Sequence, residues 1–276
     1  MTTLLQIERS PARQRRKARG AETRAITSTL TVLTFNIGAA APPRADAILR
    51  WLRSRTDDVV VLTETSDGAG TDLLAEGLCA SGYNVRVTRG GGERGVLLAS
   101  RIDFIEDFSE QVAVTVPSRM RTVVLDTKPR AVALVGVYVP SRDRSDEKVA
   151  RKQVFIASML ASLRQLPDAL RERLVLAGDY NVVARRHQPP LPGFFPWEYG
   201  LHDELEEFGL RSAHELRPRA DHPHSWIGRT GLRYLYDYIH VGSSLHGGVE
   251  RCAYLHGPRE RRLSDHAAVV ARLRVA

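Results

Sequence analysis

The sequence is poor in cysteine and in long hydrophobic runs, and each shortage excludes a class of protein. Only Cys79 and Cys252 are cysteines among 276 residues, so the disulfide framework of a small secreted protein is not expected. No apolar run approaches the roughly 18 residues that span a bilayer, so no transmembrane helix is expected. The first seven residues are too short and too polar for a secretory signal. A cytoplasmic location is therefore expected.

Lysine is also scarce, and arginine supplies almost all of the positive charge. Only four of the 40 basic residues are lysines, and the net charge is +8. Because guanidinium groups bind phosphate in a bidentate fork, this composition favours a nucleic-acid partner. The alternative is the codon bias of a GC-rich genome, which would raise arginine and alanine together. The sequence leaves both explanations open.

The first 28 residues differ in composition from the rest of the chain. They carry five of the eight net positive charges and show no hydrophobic periodicity, so a basic, disordered arm is expected at 1–28. This arm could hold nucleic-acid phosphates electrostatically, or it could only keep the chain in solution. No linker rich in proline, glycine or serine divides the remaining residues, and we expect one domain over 29–276.

Short runs rich in valine and leucine alternate with helical patterns after residue 29. Strands are predicted at 30–37, 59–63, 84–88, 96–100, 112–116, 122–126, 131–139, 174–181, 236–241 and 267–273. Helices are predicted at 45–55, 73–80, 147–163 and 201–208. A mixture of this kind indicates an α/β fold in which two sheets pack together with helices outside them.

Polar side chains stand at the ends of four of these strands. The four clusters are Thr34-Phe35-Asn36, Thr63-Glu64-Thr65, Gly178-Asp179-Tyr180-Asn181 and Ser264-Asp265-His266. Carboxylates and amides are expensive to bury at strand ends unless a metal ion or hydrogen bonds compensate them. If the strands lie side by side, the clusters converge on one site, and oxygen ligands of this kind suit Mg²⁺ or Mn²⁺.

In this order, and together with Tyr138 and Asp237, the clusters resemble the endonuclease/exonuclease/phosphatase superfamily over about residues 30–274. The resemblance implies a four-layer α/β/β/α sandwich of two mixed β-sheets flanked by helices, and a metal-dependent phosphoester hydrolase. By the same resemblance, the metal ligands are Glu64, Asn36 and Asp265. The residues implied to act on water and phosphate are Asp179, Asn181, His266, Asp237 and Tyr138.

The resemblance also implies a role for each of these residues. Asp179 would orient or deprotonate the attacking water, and Asn181 would hydrogen-bond the phosphate. His266 would contact the scissile phosphate, and Asp237 would orient its imidazole. Tyr138 resembles the phosphate-contacting tyrosine of the exonuclease III and abasic-site endonuclease branch, although a tyrosine in a strand is most often a core residue.

The expected substrate depends on the branch of the superfamily, and the sequence departs from the abasic-site endonuclease branch at individual positions. Thr63 stands where the abasic-site branch has glutamine, and Leu235 stands where it has arginine. DNA is therefore the first expected partner, with a small-molecule or lipid phosphoester as the alternative. Trp226 could stack on a base or sugar or be a core residue. The chain is expected to be a monomer.

Five histidines raise the possibility of a zinc site. They are His187, His202, His214, His222 and His224. Their spacing matches no tight ligand motif and no cysteine stands near them, so they are expected to be surface or loop histidines.

Overall fold

The computed structural model describes residues 29–109, 113–142, 145–217 and 223–276. The basic arm predicted at 1–28 lies outside these ranges. The strands are β1 (Thr29–Asn36), β2 (Val59–Thr65), β3 (Asn84–Val87), β4 (Gly95–Ser100), β5 (Phe104–Asp107), β6 (Met120–Leu125), β7 (Val132–Tyr138), β8 (Leu174–Asp179), β9 (Arg211–Ser212), β10 (Trp226–Ile227), β11 (Arg233–Tyr234), β12 (Asp237–Val241), β13 (Val249–Leu255) and β14 (Ala268–Arg274). The helices are α1 (Pro42–Arg53), α2 (Ala69–Cys79), α3 (Asp146–Gln165), α4 (Asp168–Arg171), α5 (Pro196–Glu207), α6 (Ala213–Leu216) and α7 (Gly257–Glu260).

Twelve of these strands form two six-stranded sheets. The first sheet has the order β13-β14-β1-β2-β4-β3, and the second has the order β5-β6-β7-β8-β12-β9. Each sheet has one parallel pair near its centre, β1 with β2 and β7 with β8, and its other neighbours are antiparallel. The two halves of the chain therefore repeat one arrangement, in which the carboxyl ends of two adjacent strands meet at one edge.

The sheets pack face to face, and helices cover their outer faces. Valines such as Val32 of the first sheet and Val175 of the second belong to one buried cluster between the sheets. A second cluster joins β1 and β2 to α1, and a third joins β7 and β8 to α3 and α5. The predicted α/β/β/α sandwich is confirmed. Within the described ranges, no helix combines the length and apolar character needed to cross a bilayer.

Most predicted elements are present, but one predicted strand is wrong. Residues 113–116 form no strand and lead into a short 3₁₀ helix at Pro117–Arg119. The alternation of valine and threonine there indicates a strand, but Pro117 removes a backbone donor and fixes φ. Strands β5 and β13 were not predicted, because β5 is largely exposed and β13 carries the polar residues Glu250 and Arg251. Neither therefore reads as an apolar run.

Candidate active site

The pairing register of the second sheet brings three predicted site residues together. Tyr138 at the end of β7 lies opposite Asp179 at the end of β8, and Asp237 at the start of β12 lies opposite Asp179 on its other side. Gly178 permits this approach, because its φ is +155° and a Cβ atom there would lie 1.8 Å from the Val137 carbonyl oxygen. The tyrosine and the two carboxylates therefore share one edge of the sheet.

The first sheet contributes Asn36 and Glu64 across the gap between the sheets. Asn36 ends β1, while Glu64 sits at a bulge of β2, where the register with β4 shifts between Thr63 and Thr65. The φ of Glu64 is +53°, a left-handed conformation that non-glycine residues rarely adopt. A bulge re-aims the side chain that it carries, and conformations of this kind cluster at functional sites.

A hydrogen-bond network joins the two sheets at this point. The amide nitrogen of Asn36 donates to Glu64 Oε1 at 2.9 Å and to Asp179 Oδ2 at 2.8 Å. The Tyr138 hydroxyl donates to the same Glu64 oxygen at 3.0 Å. The amide oxygen of Asn36 accepts from the Gly38 backbone N–H at 2.9 Å. Asn36 therefore bridges two carboxylates through its nitrogen, and this arrangement positions Glu64.

Asp179 is fully buried, and the groups around it shift the pKa of its carboxyl group. Its Oδ1 atom accepts from the Asn181 backbone N–H at 2.9 Å, and its Oδ2 atom is 3.3 Å from the Asn181 amide nitrogen. Burial and the carboxylates of Asp237 and Glu64 raise the pKa of Asp179 to about 8, although His266 opposes the shift. With this pKa the carboxyl group is mostly protonated at neutral pH while no cation is bound, and it becomes a base only when it is ionised. Asn181, like Glu64, has a positive φ, +49°.

His266 and Asp237 form a buried pair. His266 Nδ1 lies 2.7 Å from Asp237 Oδ2, and both side chains are buried. Burial lowers the pKa of His266, but the Asp237 carboxylate outweighs it and raises that pKa to about 10. His266 is therefore an imidazolium at neutral pH, and its Nε2–H is a charge-assisted donor for an anion. The Ser264 hydroxyl, which accepts from the His266 backbone N–H at 3.1 Å, holds the segment in place.

Asp265 lies at the rim of this pocket. It is exposed, and its Oδ2 atom accepts from the Trp226 indole N–H at 2.9 Å. Ser264 next to it donates to the Asn36 carbonyl oxygen at 2.6 Å, which ties the segment before β14 to the end of β1. All eight predicted site residues therefore lie at one end of the sandwich.

The donor set fits a divalent cation. Among the described residues, Asp179, Asp237 and His266 form a buried group whose ligand atoms lie within 4.8 Å of one another. Asp237 Oδ1 is buried without a hydrogen-bond partner in the part of the chain that the structure describes. Together with Glu64, the centre holds three carboxyl groups beside one imidazolium, so its oxygen donors outnumber its positive charges. Oxygen donors of this kind suit a hard divalent ion such as Mg²⁺.

Two residues near the site were not predicted from the sequence. Lys152 of α3 is 1% exposed, and its ammonium group donates to Glu198 Oε1 and to the Asn181 carbonyl oxygen, both at 2.8 Å. The sequence did contain a signal for Lys152, because this charged residue stands among the apolar positions of α3 that precede Phe155 and Met159. Arg119 lies 4.5 Å over the Tyr138 ring, and nothing in its sequence neighbourhood marks it.

The histidine prediction needs a correction. His202 is not a surface residue: it is 4% exposed and stacks on Tyr180 with ring centroids 5.7 Å apart. It lies on α5, and its ring is directed into the helix–sheet core. His187 is also buried, at 8% exposed, although it lies in a loop as predicted. His214 and His224 are half-buried, and His222 lies outside the described residues.

Comparison with known families identifies the family of this chain. The sequence model of the endonuclease/exonuclease/phosphatase family matches residues 33–266. The chain belongs to this family, whose members are enzymes that hydrolyse phosphoesters. No curated protein sequence matches the chain.

Solved structures share the fold at low sequence identity. An AP endonuclease from Archaeoglobus fulgidus superposes with a TM-score of 0.73 and 18% identity, over 88% of this chain and 98% of that one. A 3′ phosphatase from Neisseria, bound to a product DNA hairpin, gives 0.70 and 18% identity over 88% and 99%. An AP endonuclease from Leishmania major gives 0.68 and 19% identity over 89% and 88%. At 18–19% sequence identity, the similarity to these structures establishes a shared fold and no more.

Proposed function

We propose that this protein is an Mg²⁺- or Mn²⁺-dependent phosphodiesterase that cleaves DNA in the manner of an abasic-site endonuclease or exonuclease. One observation carries the proposal: ligand atoms of the buried side chains Asp179, Asp237 and His266 lie within 4.8 Å of one another, and Asn36 links Asp179 to a further carboxylate, Glu64. Hydrolysis of a phosphodiester needs a base for the attacking water and a cation for the phosphate oxygens. The pocket contains both.

Each residue of the pocket has a role in this proposal. A bound divalent cation would favour the ionised form of Asp179, which would then accept the proton of the attacking water, and Asn181 holds the carboxylate and a phosphate oxygen. His266 donates a hydrogen bond to a phosphate oxygen on which charge develops, while Asp237 keeps the imidazole protonated and oriented. The Tyr138 phenol stays protonated, because burial and the carboxylates of Glu64 and Asp179 raise its pKa. It therefore remains a hydrogen-bond donor.

The proposed metal ligands are Glu64 and Asp265, with Asn36 as a third. When bound, a divalent ion neutralises phosphate charge and stabilises the leaving oxygen. The amide nitrogen of Asn36 donates to Glu64 and Asp179, so we propose that Asn36 also fixes the position of Glu64. Burial and the carboxylates of Asp237 and Glu64 raise the pKa of Asp179, and a bound divalent ion would lower it.

An aromatic wall beside His266 supports a nucleic-acid substrate. The rings of Trp226 and Tyr236 stack at 5.8 Å between centroids, and those of Tyr234 and Tyr236 stack at 5.1 Å. All three side chains are half-buried, and the Trp226 centroid lies 6.4 Å from that of His266. Aromatic faces of this kind stack on bases and sugars without regard to sequence. The similar structures named above include DNA-processing enzymes.

A small-molecule or lipid phosphoester is the second candidate. Two departures from the abasic-site branch favour this candidate: Thr63 stands in place of its glutamine, and Leu235 stands in place of its arginine. The low net charge of the chain after residue 28, about +3, points the same way, since non-specific DNA binding depends on positive charge.

A cleavage assay distinguishes the candidates. Purified protein is incubated with supercoiled DNA and with a duplex that carries one abasic site, in Mg²⁺ or in EDTA. We expect metal-dependent cutting that Asp179→Asn abolishes and that Asp168→Asn, a change at an exposed aspartate of α4, leaves intact. Turnover of inositol phosphates or lipid headgroups with DNA untouched would select the second candidate. Cutting that survives Asp179→Asn would reject the assigned base.

The arm at 1–28, the monomeric state and a cytoplasmic location stay predictions. If the arm holds DNA phosphates, its deletion should leave folding and metal chemistry intact and should weaken DNA binding. The slope of log affinity against log salt should then fall by roughly 0.9 per lost phosphate contact. Equal slopes for the full-length and truncated proteins would limit the arm to a solubilising role.

A further inference from the structure

Arg119 lies in the row of residues that forms the active-site edge of the second sheet. It immediately precedes β6, and the pairing of Met120 with Val137 places it across from Tyr138 at the end of β7. Tyr138 in turn lies opposite Asp179. The central carbon of the guanidinium group, Cζ, lies 4.5 Å from the centroid of the Tyr138 ring. Arg119 therefore extends this row by one strand beyond the residues assigned above.

The Tyr138 ring connects Arg119 to the proposed metal ligand Glu64. The hydroxyl of Tyr138 donates to Glu64 Oε1 at 3.0 Å. Because Tyr138 is 4% exposed and Arg119 is 7% exposed, the contact between them is shielded from solvent. A cation is attracted to an aromatic face, and the attraction is larger when the contact is desolvated. Arg119 thus restrains the ring that places its hydroxyl on Glu64.

A carboxylate from the glycine-rich turn between β3 and β4 holds Arg119 over the ring. Glu93 Oε2 accepts from Arg119 Nη2 at 3.2 Å, and Glu93 Oε1 lies 2.6 Å from Nη2 of Arg151 on α3. Burial raises the pKa of Glu93, but hydrogen bonds from Arg151 and Arg119 outweigh burial and hold that pKa below its usual value. Glu93 is therefore ionised at neutral pH, and it keeps Arg151 as a partner if Arg119 is replaced.

The burial of Arg119 is not explained by its hydrogen bonds. Its Nε and Nη1 atoms are buried without a hydrogen-bond partner in the part of the chain that the structure describes. Buried donors that lack a partner cost free energy, and an apolar side chain of similar length would avoid that cost. Departures of this kind are typical of functional positions. The contact with Tyr138 gives the buried charge a reason to be there.

We propose that Arg119 is a positioning residue, which holds the Tyr138 phenol against Glu64 in the active site. Its effect on turnover rests on the proposed function, whereas its effect on the phenol belongs to the folded chain alone. Small displacements of a group in an active site lower the rate strongly. Loss of Arg119 should therefore act on kcat through Tyr138, and it should leave folding and substrate binding nearly unchanged.

The first experiment needs neither metal nor substrate. The full-length protein carries an isotope label at tyrosine Cζ, and NMR in mixtures of light and heavy water gives the rate at which each tyrosine hydroxyl proton exchanges with solvent. The Tyr138 signal is the one that Tyr138→Phe removes. Arg119→Met should speed the exchange of this proton about five- to thirtyfold, as loss of a desolvated cation–π contact should. Arg119→Lys, which keeps a cation, should restore part of the protection.

Arg121→Met is the matched control. Arg121 also pairs with a carboxylate, Asp107, and also has a buried Nε atom without a partner among the described residues, but it lies opposite Gly136 and not opposite Tyr138. Its loss should leave the exchange of the Tyr138 proton unchanged. An unchanged exchange rate in Arg119→Met, or equal acceleration in both variants, overturns the inference whatever the substrate proves to be.

The second experiment measures turnover of an abasic-site duplex and of bis(p-nitrophenyl) phosphate in Mg²⁺. In Arg119→Met, kcat should fall about five- to thirtyfold with KM nearly unchanged. In Tyr138→Phe, which keeps the ring and loses the hydroxyl, the same substitution should have little further effect, because Arg119 acts through that hydroxyl. Losses that simply add in the double variant would overturn the assignment of Arg119 to Tyr138.

Melting temperature separates positioning from a purely structural role. Arg119→Met removes two unpartnered donors and leaves Glu93 paired with Arg151, so it should melt close to the parent protein while kcat falls. A fall in kcat that Arg121→Met matches, with an equal loss of melting temperature, would reject positioning. Faster exchange of the Tyr138 proton in a protein that cleaves neither ester would reject the proposed function and keep the role of Arg119.

Discussion

His266 Nδ1 lies 2.7 Å from Asp237 Oδ2, and both side chains are buried. Because the Asp237 carboxylate outweighs burial and raises the pKa of the imidazole to about 10, His266 keeps its proton at neutral pH. Asp237 thus acts on the phosphate only through the charge and orientation of His266.

Asp237→Asn should therefore shift the pH dependence of catalysis. Without the carboxylate, burial lowers the pKa of His266, and the imidazolium is lost as pH rises through a lower value. We expect kcat at pH 8 to fall about tenfold to a hundredfold and to recover in part at lower pH. A pH profile of kcat and an NMR titration of His266 measure both effects. An unchanged imidazole pKa would contradict this role for Asp237.

Glu64 and His266 should differ in their effect on metal affinity. Glu64→Ala should abolish detectable Mg²⁺ binding and turnover, with at most partial rescue at high Mg²⁺ or Mn²⁺, because a carboxylate ligand is lost. His266→Ala should retain Mg²⁺ affinity and lower turnover roughly 10²–10³-fold, because its partner is the phosphate. Calorimetry of Mg²⁺ binding and kinetics of the same preparations separate the roles.

The control for these variants is Glu76→Ala, at an exposed position of α2. It should leave both metal affinity and turnover intact. Equal losses of metal in His266→Ala and Glu64→Ala would mean that the ligand set is wrong, even though the family is established.

Lys152 should be a positioning residue for Asn181. Its ammonium group is buried between Glu198 and the Asn181 carbonyl oxygen, and the positive φ of Asn181 needs support from its surroundings. Lys152→Met should lower the free energy of unfolding by roughly 1.5–3 kcal/mol, because the buried Glu198 carboxylate loses one charged partner and keeps Arg142. It should also lower kcat more than it raises KM.

A double variant separates stability from positioning. Lys152→Met/Glu198→Gln leaves Arg142 without its carboxylate partner, so it should stay less stable than the parent protein, as measured by urea denaturation. Turnover should stay low because nothing then holds the Asn181 carbonyl. Full recovery of kcat in the double variant would show that Lys152 serves stability alone.

His202 should make the fold sensitive to acid. Burial lowers its pKa from 6.5 to about 4, so the unfolded chain takes up a proton as pH falls below 6.5 while the folded chain stays neutral. The unfolded state then binds more protons, and stability falls between pH 6.5 and 4, by roughly 3 kcal/mol at the lower limit. Above pH 6.5 this contribution to stability is fully present.

His202→Phe keeps the stacking on Tyr180 and removes the titration. Urea midpoints measured from pH 7 to pH 4 should fall less steeply in the variant than in the parent protein. Because His240 and the carboxylates are common to both proteins, the difference in slope isolates His202. Parallel curves would mean that this ring does not resist protonation in the folded state.

Much of the fold and of the chemistry could be predicted from the sequence. The apolar runs that precede Asn36, Glu64 and Asp179 have the length and composition of buried strands, and each ends in a polar residue that needs compensation. Predictions failed where local pattern and tertiary context disagree. Residues 112–116 alternate like a strand, yet 113–116 lead into a 3₁₀ helix. His202 looks like an exposed helix residue, but α5 turns it toward Tyr180.

The sequence by itself determined which chemical groups are available: the carboxylates, the amides, one histidine at the start of β14 and the strands that carry them. Only the tertiary structure decided which atoms meet. Asn36 and Asp179 are 143 positions apart and lie 2.8 Å from each other, because β1 and β8 end at the same edge of two packed sheets. The bulge at Glu64 and the burial that raises the pKa of Asp179 have the same origin. Each depends on strand register and sheet packing, which are set by the cooperative burial of the whole core and leave no local mark in the sequence.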